Sequence, residues 1–132
     1  MKISREQLSA LTKVFDDDKR IDAAFLLGSA VRNEMRPDSD VDIAILPAPG
    51  ANLGGIDRAT IALELENTLG RTVDVGVLDH GNLVYAKEAY LNGQRIYCRN
   101  RFRCELFGAS TLGMYAELRE SRREVENAYQ AR

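Results

Sequence analysis

Leu26-Leu27-Gly28-Ser29-Ala30-Val31-Arg32 and, ten residues after Ser29, Asp40-Val41-Asp42-Ile43-Ala44-Ile45-Leu46 decide how this chain reads. A short apolar strand runs into a Gly-Ser turn, and a second apolar strand opens on two carboxylates two residues apart. Residues i and i+2 of a strand share a face, so Asp40 and Asp42 project together. Neighbouring carboxylates repel unless a hard cation lies between them, and Mg²⁺ with substrate phosphates is the usual occupant. With no side chain at Gly28, backbone N–H groups can approach a phosphate, and the Ser29 hydroxyl offers one more donor. The stretch therefore suggests a site for a metal-bound nucleoside triphosphate.

Gly-Ser, ten residues from Ala30 to Ser39, then Asp-x-Asp resembles the signature of the nucleotidyltransferase superfamily that includes DNA polymerase β. The wider string, with Arg32 and Pro37-Asp38-Ser39-Asp40, is most similar to small bacterial and archaeal members. Those are the minimal nucleotidyltransferases (MNT) paired with HEPN proteins in toxin–antitoxin modules. They often carry Gly after the Arg, where this chain has Asn33, a residue that tolerates left-handed backbone better than most. The sharp part of the resemblance is Gly28 to Asp42; its looser part, element order, covers roughly the first hundred residues.

A third carboxylate fits the same reading. Arg71 to Leu78 alternates as a strand, with Val73, Val75 and Val77 on one face and Thr72, Asp74, Gly76 and Leu78 on the other. An acidic residue inside an apolar strand needs a cation or a hydrogen-bond partner if it is buried. On its own it reads as an ordinary Asp on a partly exposed face. Beside the first motif, Asp74 is the position that matches the family's third acidic residue. The resemblance then implies Asp40, Asp42 and Asp74 as catalytic and metal-binding residues holding two Mg²⁺ ions, with ATP as substrate. It implies Gly28, Ser29, Arg32 and Ser39 as the nucleotide-binding set. Arg32 has an equal alternative, an ion pair with Glu34 or Asp38 in its own loop.

Length and composition fit these expectations. A chain of 132 residues with 45% hydrophobic and 29% charged residues suits one domain with its own core. It divides into a catalytic core (1–98) and a C-terminal helical segment (99–132). No apolar run is long enough to span a membrane, and Met1-Lys2-Ile3-Ser4 lacks the apolar core of a signal peptide. Two cysteines, Cys98 and Cys104, with a single His argue against zinc and for a cytoplasmic setting with reduced thiols. The net charge of −2 hides an asymmetry: residues 95–132 carry eight basic side chains, all Arg, against five acidic ones. That segment suits nucleic acid, an acidic partner, a triphosphate or simply water; the acidic body argues against a nucleic-acid surface.

The expected fold is α/β, a small mixed sheet flanked by helices with a C-terminal helix. Ser4 and Gln7 form a capping box for a first helix reaching about Phe15 or Asp17. Asp16-Asp17-Asp18 reads as a solvated turn. Strands are expected at Ile21 to Leu27, Val41 to Leu46 and Arg95 to Tyr97, besides Arg71 to Leu78. A second helix is expected from Asp57, as its cap, to Leu69, stopped by Gly70, and a third from Asn82 to Leu91. From Arg101 a long helix follows, with Gly108 and Gly113 as candidate breaks. His80 reads as a polar loop residue, and the five tyrosines sit at no spacing that suggests base stacking.

The chain is too short for a template-directed polymerase, which needs further domains to grip a duplex. The resemblance implies transfer of AMP to a tyrosine of a HEPN ribonuclease toxin, a hetero-oligomer with that partner, and an antitoxin role. The alternative is a catalytically inactive antitoxin that neutralises its partner by contact alone.

Overall fold

In the computed structural model, residues 3–28 and 40–130 are described. Their elements are α1 (Arg5–Asp17), β1 (Ile21–Leu27), β2 (Val41–Pro47), α2 (Gly55–Leu69), β3 (Val73–Val77), α3 (Leu83–Asn92), β4 (Gln94–Cys98) and α4 (Arg101–Gln130). The strands form one mixed sheet in the order β3-β2-β1-β4. β1 pairs antiparallel with both β2 and β4, whereas β2 and β3 run parallel, joined by the α2 crossover. The small mixed sheet flanked by helices is as expected.

β1 is buried along its whole length, because helices cover both faces of the sheet. On one face Ala24, Leu26, Val41, Ile43, Val73 and Val75 pack against Leu11 and Phe15 of α1 and Ile61, Leu65 and Leu69 of α2. On the other, Ala23, Phe25, Leu27, Ala44 and Leu46 meet Ala86 and Ala89 of α3 and Cys104 of α4. The period of two sorts the two sets along β2 and β3, and along β1 it holds beyond the irregularity between Ile21 and Ala23.

The polar ties are specific. Ser4 and Gln7 form the capping box read from the sequence, with Ser4 Oγ accepting from the Gln7 N–H at 3.1 Å. At the other end of α1, Asp18 accepts from the Arg20 guanidinium at 2.8 Å, and the Tyr97 hydroxyl donates to Asp16 Oδ1 at 2.9 Å. The Arg99 guanidinium donates to the carbonyls of Phe15, Asp16 and Asp18, placing a cation at the carbonyl end of the helix. Asp22, 5% exposed on β1, accepts from Arg103 Nε of α4 at 3.0 Å. Part of the arginine-rich tail is therefore structural.

Two local expectations are corrected. α2 begins at Gly55 with Gly54 as its N-cap, and Asp57 sits in the first turn, accepting from the Gly54 N–H at 3.1 Å. α4 is unbroken at Gly108 and Gly113. At Gly108 the missing side chain lets the Tyr90 ring of α3 lie against the helix, since a Cβ would come within 2.5 Å of it. Gly108 is a packing site, and a continuous hydrogen-bonded ladder outweighs its poor helix propensity. Beyond Leu118 every described residue of α4 is exposed. Cys98 and Cys104 are both free thiols.

Candidate active site

Parallel pairing of β2 with β3 sets Asp42 in register with Asp74, on the face shared with Ala44 and Gly76. That face is covered by α3 and α4 further along the sheet but is open at this end, where Asp40, Asp42 and Asp74 are all exposed. Leu27 pairs with Asp42 across β1–β2, which brings the following residue, Gly28, to the same place. Gly28 has φ 63°, in the left-handed region, and a Cβ there would stand 3.3 Å from Asp42 Oδ2. A side chain at residue 28 would be strained in itself and would crowd the carboxylate. Gly28 and Asp42 thus meet, as the sequence motif requires.

The electrostatics of the site are set by its clustered carboxylates. Among the described residues, neither Asp42 nor Asp74 accepts a hydrogen bond or pairs with a cation. Partial burial, followed by the charges of Asp74 and Asp40, holds the Asp42 carboxyl above its ordinary value. Carboxylate oxygens without compensation are the donor set that suits Mg²⁺. Among the described residues no three acidic, His or Cys side chains converge as a ready-made metal cage, so the fit rests on the facing Asp42–Asp74 pair and the exposed Asp40 beside it.

A cleft of about 470 Å³ opens from the carboxylates along β3. Its walls include Leu27, Asp42, Asp74 and Val77 as well as three residues that sequence reasoning did not single out: Arg58, Asn82 and Tyr85. Tyr85 packs its hydroxyl directly onto Gly76, in space a Cβ would fill. Burial, then the charges of Asp42 and Asp74, push the Tyr85 hydroxyl above its ordinary pKa. Asn82 caps α3, its Oδ1 accepting from the Tyr85 N–H at 3.2 Å. The sequence signal for this wall was Gly76, since a glycine inside a strand marks a close approach of other atoms. His80 stacks on Phe107 with ring centroids 4.4 Å apart and does not line the cleft. Ser29, Arg32 and Ser39, expected in the nucleotide-binding set, lie outside the described residues.

A strand, a glycine turn and a second strand bearing the Asp pair, followed by a crossover to a third carboxylate, define a nucleotidyltransferase core. The chain belongs to the family described as polymerase beta, nucleotidyltransferase, whose model matches residues 9–102. It is similar to a protein adenylyltransferase, MntA, of Shewanella oneidensis: 27% identical over 110 residues, 83% of this chain and 77% of the relative. Among solved structures, a chain of a toxin–antitoxin crystallised with AMP-PNP superposes with a TM-score of 0.76 at 24% identity. That match covers 93% of this chain and 98% of the other. A chain from a tri-AMPylated Shewanella oneidensis HEPN toxin in complex with its MNT antitoxin gives 0.71 at 23% identity, covering 94% and 96%. These structural likenesses bear out the fold. Among the described residues no helix is long and apolar enough to cross a membrane.

Proposed function

We propose that this chain transfers AMP from ATP to a tyrosine hydroxyl of a HEPN-type partner, and so acts as that partner's antitoxin. The observation that carries the reading is the facing Asp42–Asp74 pair with Gly28 set against Asp42. The family match supports nucleotidyl transfer, and the adenylyltransferase relative supports AMP and a protein acceptor.

Asp40, Asp42 and Asp74 would hold Mg²⁺. When bound, the ions neutralise the triphosphate and offset charge that develops at the α-phosphorus. Asp74 lies across from Asp42 on the open side and takes the proton of the incoming tyrosine hydroxyl. The backbone at Gly28, with Ser29, Ser39 and Arg32, orients the phosphates so that pyrophosphate can leave in line with attack.

A contact-only antitoxin is the second reading, favoured by the largely exposed outer half of α4, which is available to a partner. Cells expressing the HEPN partner separate the two. Rescue of growth by the wild-type chain, lost in the Asp42→Ala/Asp74→Ala variant while the two proteins still co-purify, supports transfer. Rescue retained by that variant leaves neutralisation by contact.

A further inference from the structure

The carboxylates and the Gly-Ser turn account for the phosphates of a nucleotide, but nothing in that motif accounts for its nucleoside. The cleft runs on from Asp74 past Gly76 to Val77, three residues or roughly 10 Å along the strand, which is about the length of a nucleoside. At about 470 Å³ it has the size of a small-molecule site rather than of a protein-docking groove. Arg58 reaches this cleft from α2, and Asn82 from the cap of α3, on opposite sides of the sheet edge.

Both groups are unspent. The Arg58 side chain makes no hydrogen bond or ion pair with any described residue, although two carboxylates line the same cleft. Asn82 uses Oδ1 to cap α3, which leaves its Nδ2 hydrogens for a ligand. The Tyr85 side chain lines the same cleft on the face that carries Asp74 and Gly76, and it offers an aromatic ring beside these polar groups. Two donor groups with an aromatic side chain in the same cleft match a heterocycle whose ring nitrogens or carbonyls accept hydrogen bonds.

We propose that Arg58, with the amide of Asn82, forms the nucleoside-reading end of the cleft. The proposal rests on the nucleotidyltransferase reading in taking a nucleotide as the ligand. It adds a specificity-determining residue on α2 that lies outside the sequence motif.

The test compares binding of ATP and of inorganic tripolyphosphate, each with Mg²⁺, to the wild-type chain and to Arg58→Ala. Arg58 is exposed and outside the core, and tripolyphosphate binding itself reports an intact phosphate site. The expected result is a loss of about tenfold or more in ATP affinity with tripolyphosphate affinity unchanged. An equal loss for both probes would make Arg58 a general phosphate contact and overturn the proposal, as would no loss for either. No ATP binding by the wild-type chain would overturn this inference and the proposed function together. Arg58-dependent ATP binding without any AMP transfer would overturn the proposed function and leave this inference standing.

Discussion

Asp42 and Asp74 face each other across the parallel β2–β3 pair, and among the described residues no cation or hydrogen-bond donor stands between them. Two charges held together without compensation cost stability, and they persist where a ligand supplies the missing positive charge.

The first prediction follows from that cost. The Asp42 carboxyl lies above its ordinary value through burial and its acidic neighbours, so its charged form is disfavoured in the folded state. The penalty is full above the folded-state pKa and disappears as pH falls through it to below the ordinary carboxyl value. Asp42→Asn should therefore raise the Tm of the ligand-free chain at neutral pH, by under about 5 °C because the side chain is solvent-facing. The gain should shrink on acidification, while AMP transfer is abolished. Thermal melts across pH check the sign.

Tyr85 seated on Gly76 gives the second. Gly76→Ala places a Cβ where the hydroxyl lies, forcing the ring out of the cleft wall. A loss of about 1–3 kcal/mol is expected. Most of it should be recovered when Tyr85→Ala is added, because the larger ring then no longer competes for the space. Urea denaturation of the two single variants and the double variant measures the coupling.

The Asp22–Arg103 tie between β1 and α4 should respond asymmetrically. Asp22 is buried, whereas the Arg103 side chain is 33% exposed. Arg103→Ala leaves a buried carboxylate unpaired and should cost about 3 kcal/mol. Asp22→Asn leaves a cation that water can reach and should cost nearer to 1 kcal/mol. Comparing the two unfolding free energies tests the ordering.

An acid-sensitive contact closes α1. Hydrogen bonding from Arg20 holds the Asp18 carboxyl below its ordinary value of 3.8. Its contribution is full above that value and is lost as pH falls through the lowered folded-state pKa. Arg20→Ala should cost no more than about 1 kcal/mol at neutral pH, as the pair is partly exposed. The difference from wild type should vanish in strong acid, which pH-dependent unfolding will show.

How far the sequence spoke for itself depends on the distance over which the information acts. The alternation of Val73, Asp74, Val75 and Gly76 is local, and it placed Asp74 on the face it occupies beside Asp42. The capping box at Ser4 and Gln7 was equally local. Arg58, Asn82 and Tyr85 were not legible as a group, because only the α2 crossover and the packing of α3 carry them to one cleft. Gly108 misled for the same reason. A glycine in a helical pattern reads as a break until the Tyr90 ring that fills its space is in place.

The central claim is that the Asp42–Asp74 pair moves AMP onto a partner. Its most direct test incubates the chain with ATP labelled at the α-phosphate, Mg²⁺ and the HEPN partner, and reads label on partner tyrosine together with pyrophosphate release. The account predicts matched amounts of both with the wild-type chain and neither with Asp74→Asn. Label transfer undiminished in Asp74→Asn, or none with the wild-type chain, would contradict it.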